Sequence, residues 1–190
     1  MDQLGQDAVA VLDALGIDTA DFCGLSMGGM VGMWMLTHAA PRVRRAVLAN
    51  TAAYMGPASL WDGRIALARA GGMAATVEPT VTRWFPPEFH ASNPGAIDRM
   101  RAMIRQVPLE GYIGCCMAIR DMDQRDSIRV VTNPTLILIG TKDPATTPAD
   151  GELIHGAIVG SSRGLLDAGH LSNIQHPALF TDYASQFFAK

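Results

Sequence analysis

The chain has 190 residues, 48% of them hydrophobic and 17% charged, with a net charge of -3. That apolar content excludes a disordered chain, and the slightly acidic balance excludes the basic footprint of a nucleic-acid binder. No apolar run approaches the ~20 residues of a membrane-spanning helix, and Met1-Asp2-Gln3 opens no leader-like segment, so a soluble, cytoplasmic chain with one core is expected.

Residues 2–15 predict a helix, because Leu4, Ala8, Val11, Leu12 and Leu15 share one face and Gly16 follows as a C-terminal cap. A strand is expected at 20–25. It runs into Gly24-Leu25-Ser26-Met27-Gly28-Gly29, then into an apolar stretch, Met30 to Ala40, that reads as a buried helix ending near Pro41. A strand, a sharp turn and a helix with a serine at the apex make a nucleophile elbow, which points to acyl transfer through a serine ester. Glycines two residues before and after the serine are expected to remove Cβ atoms that would clash. The hydroxyl then stands at a helix N-terminus, where N–H groups and the helix dipole stabilise an anion. Val43 to Asn50 reads as the next strand, and strand–helix–strand without a hairpin signal implies a parallel crossover.

From about 56 to 128 the pattern turns helical, with stretches at 58–70, 72–84, 94–106 and 109–120 broken by Trp84-Phe85-Pro86-Pro87 and by Pro108. This reads as a helical insertion above the sheet, with 1–55 and 129–190 forming the core. Pro134 to Ile139 is a compact apolar strand, followed by a helix near 148–158, a strand at 163–167 and a closing helix from Pro177 to Phe188. The fold class is α/β: a parallel sheet of about four strands with flanking helices and a helical cap.

A serine hydroxyl is a weak nucleophile until a base takes its proton, and the base needs an acid to orient it. Each partner is expected just past a strand, in the order serine, acid, histidine. Asp143 in Gly140-Thr141-Lys142-Asp143-Pro144 and His170 in Ala168-Gly169-His170-Leu171 satisfy order and placement, because parallel strand ends converge on one sheet edge. Asp167 reads as a structural group and Asp150 as a helix cap. His38, His90, His155 and His176 are weaker candidates for the base. Cys23, Cys115 and Cys116 make no disulfide framework and read as small buried hydrophobes. No zinc-ligand spacing is visible, and the chemistry calls for no metal or cofactor.

Several stretches carry a resemblance. They are Phe22-Cys23-Gly24-Leu25-Ser26-Met27-Gly28-Gly29-Met30-Val31-Gly32, Leu48-Ala49-Asn50-Thr51, Arg83-Trp84-Phe85, Gly111-Tyr112, Cys115-Cys116-Met117-Ala118-Ile119-Arg120-Asp121, Gly140-Thr141-Lys142-Asp143-Pro144-Ala145-Thr146 and His170-Leu171-Ser172-Asn173-Ile174. Over essentially its whole length the chain resembles the 3-oxoadipate enol-lactonases of the α/β-hydrolase superfamily. The resemblance implies hydrolysis of the enol-lactone to 3-oxoadipate in bacterial breakdown of protocatechuate and catechol. It also implies Ser26 as nucleophile, His170 as general base and acid, Asp143 as its orienting partner, the Met27 N–H as an oxyanion donor and Trp84 as a substrate-pocket residue. Arg83 and Arg120 are candidates for facing the substrate carboxylate, with structural pairing as the competing reading.

Members of that family begin with further strands, whose loop supplies a second oxyanion N–H. The chain is therefore expected to be an N-terminally shortened form, weakly active or inactive alone; one missing donor costs roughly 10²–10³ in rate. The strand at 20–25 is then an exposed apolar edge open to self-association. Two other readings stand beside the lactonase: a related esterase or cofactor-free peroxidase-type hydrolase, and an inactive self-associating fragment.

Overall fold

The computed structural model describes residues 1–190. Strands β1 (Ala20–Leu25), β2 (Val43–Ala49), β3 (Thr135–Gly140) and β4 (Ser162–Leu166) form one sheet in the order β1-β2-β3-β4. Every neighbouring pair is parallel: Leu48 pairs with Gly24 on one side and Ile137 on the other, and Leu138 pairs with Gly164.

Alternation along the strands divides the core between two faces. Ala46 and Leu48 of β2, with Ile137 and Ile139 of β3, pack beneath α2 (Met27–His38) and α7 (Pro148–Ala157). Val47, Ala49, Leu136 and Leu138 turn the other way, with Leu166 and with Phe187 of α9 (Pro177–Phe188). Strands covered on both faces need unbroken apolar runs, and β3 is buried at every position. α2 is apolar nearly all round for the same reason. Its Met30, Met33, Trp34, Met35 and Leu36 are buried where it packs on β1, β2 and α1 (Asp2–Ala14).

β1 and β4 are the sheet edges. Cys23 on β1 is exposed, Cys115 half-buried and Cys116 buried, which corrects the expectation that all three are buried. Alternation puts Cys23 on the face opposite Phe22, at the edge furthest from α9, which packs on β4.

Between β2 and β3 the chain forms α3 (Ala58–Trp84), α4 (Pro87–Ser92), α5 (Pro94–Arg105) and α6 (Leu109–Arg120). α3 breaks at Gly72, where φ is 65° and ψ is −171°, so it consists of two arms. That break falls on the first residue of the second of the two helices expected at 58–70 and 72–84. A third core, including Val77, Val81, Phe85, Phe89, Ile97 and Ile104, ties the second arm to α4 and α5. α4 differs from the sequence reading, which treats Trp84-Phe85-Pro86-Pro87 only as a break. Pro87 fits a first helical turn and Phe89 is buried, so the helix restarts at once. No helix is long and apolar enough to cross a membrane.

Candidate active site

Each of the four strands delivers one side chain to the same end of the sheet. Ser26 follows β1, Asn50 follows β2, Asp143 lies in the loop after β3, and His170 lies in the loop between β4 and the short α8 (Ser172–Gln175). Ser26 has φ 56° and ψ −118°. A non-glycine residue held there costs about 1–3 kcal/mol and persists only where its surroundings over-determine it. Its N–H donates to the Ala49 carbonyl at 2.9 Å, and its own carbonyl accepts from the Met30 N–H at 3.1 Å and from Thr51 Oγ1 at 2.7 Å.

The turn also depends on close approaches. A Cβ at Gly24 would lie 2.2 Å from the Gly28 carbonyl oxygen, and one at Gly29 would lie 2.7 Å from the Thr51 side chain. Gly28 departs from the expected clash, since a Cβ there meets nothing within 4 Å. Position 28 faces open space, so the tight contacts of this elbow belong to Gly24 and Gly29. The N–H groups of Met27, Gly28 and Gly29, the first three of α2, have no acceptor within the helix and point out of its N-terminus beside Ser26.

Ser26 Oγ lies 2.9 Å from His170 Nε2, and His170 Nδ1 lies 2.8 Å from Asp143 Oδ2. Asp143 is buried and fully engaged. Its Oδ2 also accepts from Asn50 Nδ2 at 3.1 Å and Thr146 Oγ1 at 2.8 Å, and Oδ1 accepts from the Ala145 and Thr146 N–H groups at 2.8 and 3.1 Å. Burial is the largest influence on its carboxyl and pushes the pKa up. The hydrogen bond and charge of His170, then Asn50 and the Thr146 N–H, outweigh burial, so the pKa lies below the ordinary carboxylate value. A carboxylate held this way keeps the imidazole proton on Nδ1 and leaves the Nε2 lone pair facing the serine hydroxyl.

Asn50 is a member of this network that sequence reasoning did not assign. It is buried, has φ 43°, donates from Nδ2 to the Gly169 carbonyl as well as to Asp143, and accepts at Oδ1 from Ser172 Oγ at 2.5 Å. Its position at a strand end was the available signal. Thr146 was likewise missed, because its role depends on how the loop after β3 folds back.

Above Ser26 lies a cavity of about 290 Å³, lined by side chains of α3 and α6. Ligand pockets usually span ~300–1,000 Å³, so this one suits a small molecule. Trp84 lines it, as do Trp61, Tyr112 and Met30, with Arg64 and Arg83 as its permanently charged groups. Burial, then the neighbouring Cys116, pushes the Tyr112 phenol up to about 12, which keeps it a neutral donor. The backbone of Trp84 reaches the centre too: its carbonyl accepts the His170 N–H at 2.9 Å.

The remaining candidates are engaged elsewhere. Arg120 pairs with Asp62 and Asp121, and Asp167 pairs with Lys142. Asp150 caps α7 through Thr147. His38 stacks on Trp34, His90 meets the Phe85 ring edge, His155 contacts Ser161 Oγ, and His176 contacts the Asp167 carbonyl.

The model of the alpha/beta hydrolase family matches residues 2–183. 3-Oxoadipate enol-lactonase 2 of Acinetobacter baylyi is 39% identical over 180 residues, spanning 95% of this chain and 67% of that protein. The crystal structure of the enol-lactonase from Burkholderia xenovorans LB400 is similar with a TM-score of 0.97 at 36% identity, covering 100% of this chain and 73% of the other. A hydrolase from Pseudomonas aeruginosa is similar with a TM-score of 0.94 at 39% identity, covering 98% of this chain and 71% of the other.

Proposed function

The chain belongs to the alpha/beta hydrolase family, and on that premise we propose that it opens the lactone of 3-oxoadipate enol-lactone through a serine ester. It is an ester or lactone hydrolase by its kinship with the enol-lactonases. We assign Ser26 as nucleophile, His170 as base and then acid, Asp143 as its orienting carboxylate, Met27 N–H as an oxyanion donor and Trp84 as a wall of the substrate pocket, with 56–128 as the cap. The observation that carries this reading is the unbroken contact from Asp143 to His170 to Ser26, at 2.8 and 2.9 Å, beneath a small cavity.

The chemistry follows from that arrangement. His170 Nε2 takes the Ser26 proton as Oγ attacks the lactone carbonyl, and the oxyanion forms beside the α2 N-terminus. Collapse breaks the ring C–O bond. The leaving enol takes the proton from His170 and rearranges to the ketone, still tethered within the acyl-enzyme. Water, deprotonated by His170, then attacks the ester carbonyl and releases 3-oxoadipate with Ser26 restored. No cofactor enters any of these steps.

The test is turnover of the enol-lactone by the wild-type chain and by Ser26→Ala, with fluorophosphonate labelling in parallel. Turnover and labelling that both disappear with Ser26 support the assignment. Lactone hydrolysis that survives Ser26→Ala overturns it.

A further inference from the structure

Two guanidinium groups face the cavity above Ser26 with no acid to balance them. Arg64 sits on the first arm of α3 and Arg83 on the second, so the Gly72 break folds both toward one space. Neither forms a salt bridge or a side-chain hydrogen bond, whereas Arg42, Arg101 and Arg120, also half-buried, are ion-paired. No carboxylate lines the cavity. A second cleft shares Met55, Trp61, Arg64, Arg83 and Ala145 with it, so the pair stands where the two spaces adjoin. The acid in that cleft, Asp150, is already held by the Thr147 N–H and hydroxyl.

Arg64 is held without being neutralised. Its guanidinium carbon lies 4.3 Å from the centre of the Trp61 ring. A stacked guanidinium uses its face and leaves its N–H edge free for a planar anion. Burial first, and the Arg64 charge second, disfavour the charged form of Arg83. Two like charges, partly desolvated and unpaired, are a cost that an anion between them relieves.

We propose that Arg64 and Arg83 together form a carboxylate-binding subsite that selects lactones carrying a free carboxylate on the arm beyond the reacting ring. This rests on the lactonase reading of the site. An enol-lactone made from one end of a six-carbon dicarboxylic acid keeps its other end as a carboxylate, which matches two unpaired cations in a small cavity. The pair would hold that arm while the ring carbonyl meets Ser26.

The experiment compares two lactones on wild type, Arg64→Gln, Arg83→Gln and the double variant. One lactone carries the carboxymethyl arm; the other, 5-methyl-2(3H)-furanone, has a neutral methyl in its place. The expected result is a rise of about 10- to 100-fold in KM for the charged lactone in each single variant, with kcat little changed. The neutral lactone should be hydrolysed as by wild type, which also serves as the folding control. Added NaCl should erode the preference of wild type and leave the double variant unaffected.

Equal loss on both lactones, or an unmoved KM for the charged one, overturns the subsite while the lactonase reading stands. A wild-type chain that hydrolyses neither lactone counts against the lactonase reading instead. In that event calorimetry on Ser26→Ala decides the subsite. Adipate should bind, dimethyl adipate should not, and removing either arginine should weaken adipate; indifference to the arginines overturns it.

Discussion

Asn50 Nδ2 lies 3.1 Å from Asp143 Oδ2, the same oxygen that faces His170. One carboxylate oxygen is thereby shared between the His170 imidazole and an amide that itself bridges to the Gly169 carbonyl and the Ser172 hydroxyl. Asn50 ties the Asp143 carboxylate to the loop that carries His170. Its φ of 43° suits asparagine better than most residues. Asn50→Ala should lower kcat about tenfold with KM little moved, and cost ~1–3 kcal/mol of stability by leaving buried groups unpaired. Steady-state kinetics and urea melts check it. A KM effect equal to the kcat effect would argue against a positioning role.

Ser26→Gly should abolish turnover yet raise the melting temperature. The strained backbone at φ 56° is cheap only for glycine, and relief of ~1–3 kcal/mol equals or exceeds the ~1 kcal/mol of the lost hydroxyl contact. A gain of a few degrees is expected for a chain of this size, at ~2–4 °C per kcal/mol. Calorimetry alongside an activity assay would show a drop instead if the elbow stores no strain.

Asp143→Asn should lower kcat by the order of 10³–10⁴, because the imidazole loses the partner that sets its tautomer. Its effect on acid stability has a fixed sign. The folded-state pKa lies below the unfolded value, about 3.9. Across that interval the unfolded chain binds more protons, so the contribution is complete above the unfolded value and disappears as pH falls through the folded one. Urea melts from pH 5 downward should therefore show a steeper loss for wild type than for Asp143→Asn.

Gly24→Ala and Gly28→Ala should separate, although both glycines belong to the same serine motif. The first places a methyl 2.2 Å from a backbone carbonyl oxygen and should cost several kcal/mol or prevent folding. The second meets open space and should be neutral, or stabilising by up to ~1 kcal/mol through helix propensity. Thermal melts of the two variants are sufficient to tell.

The elements that position the site were readable because their signals are local. Apolar runs bounded by glycine or proline marked β1, β2 and β3, and parallel order followed from the absence of hairpin turns. Ser26, Asp143 and His170 were legible from their places after strands, without any contact being known. Asn50, Thr146 and Arg64 were not, because each acquires its partners only when distant loops or the two arms of α3 fold together. The short α4 escaped because Pro86-Pro87 both ends one helix and begins the next. Gly28 shows the converse: the motif implied crowding at a position that the fold leaves open.

The Trp84 carbonyl receives the N–H groups of His170 and Leu171, at 2.9 and 3.3 Å. The far end of α3 is thus fastened to the loop that carries the imidazole facing Ser26. Were the helices to swing up at this corner, they would drag the imidazole off Ser26, and an enzyme standing ajar would be disarmed.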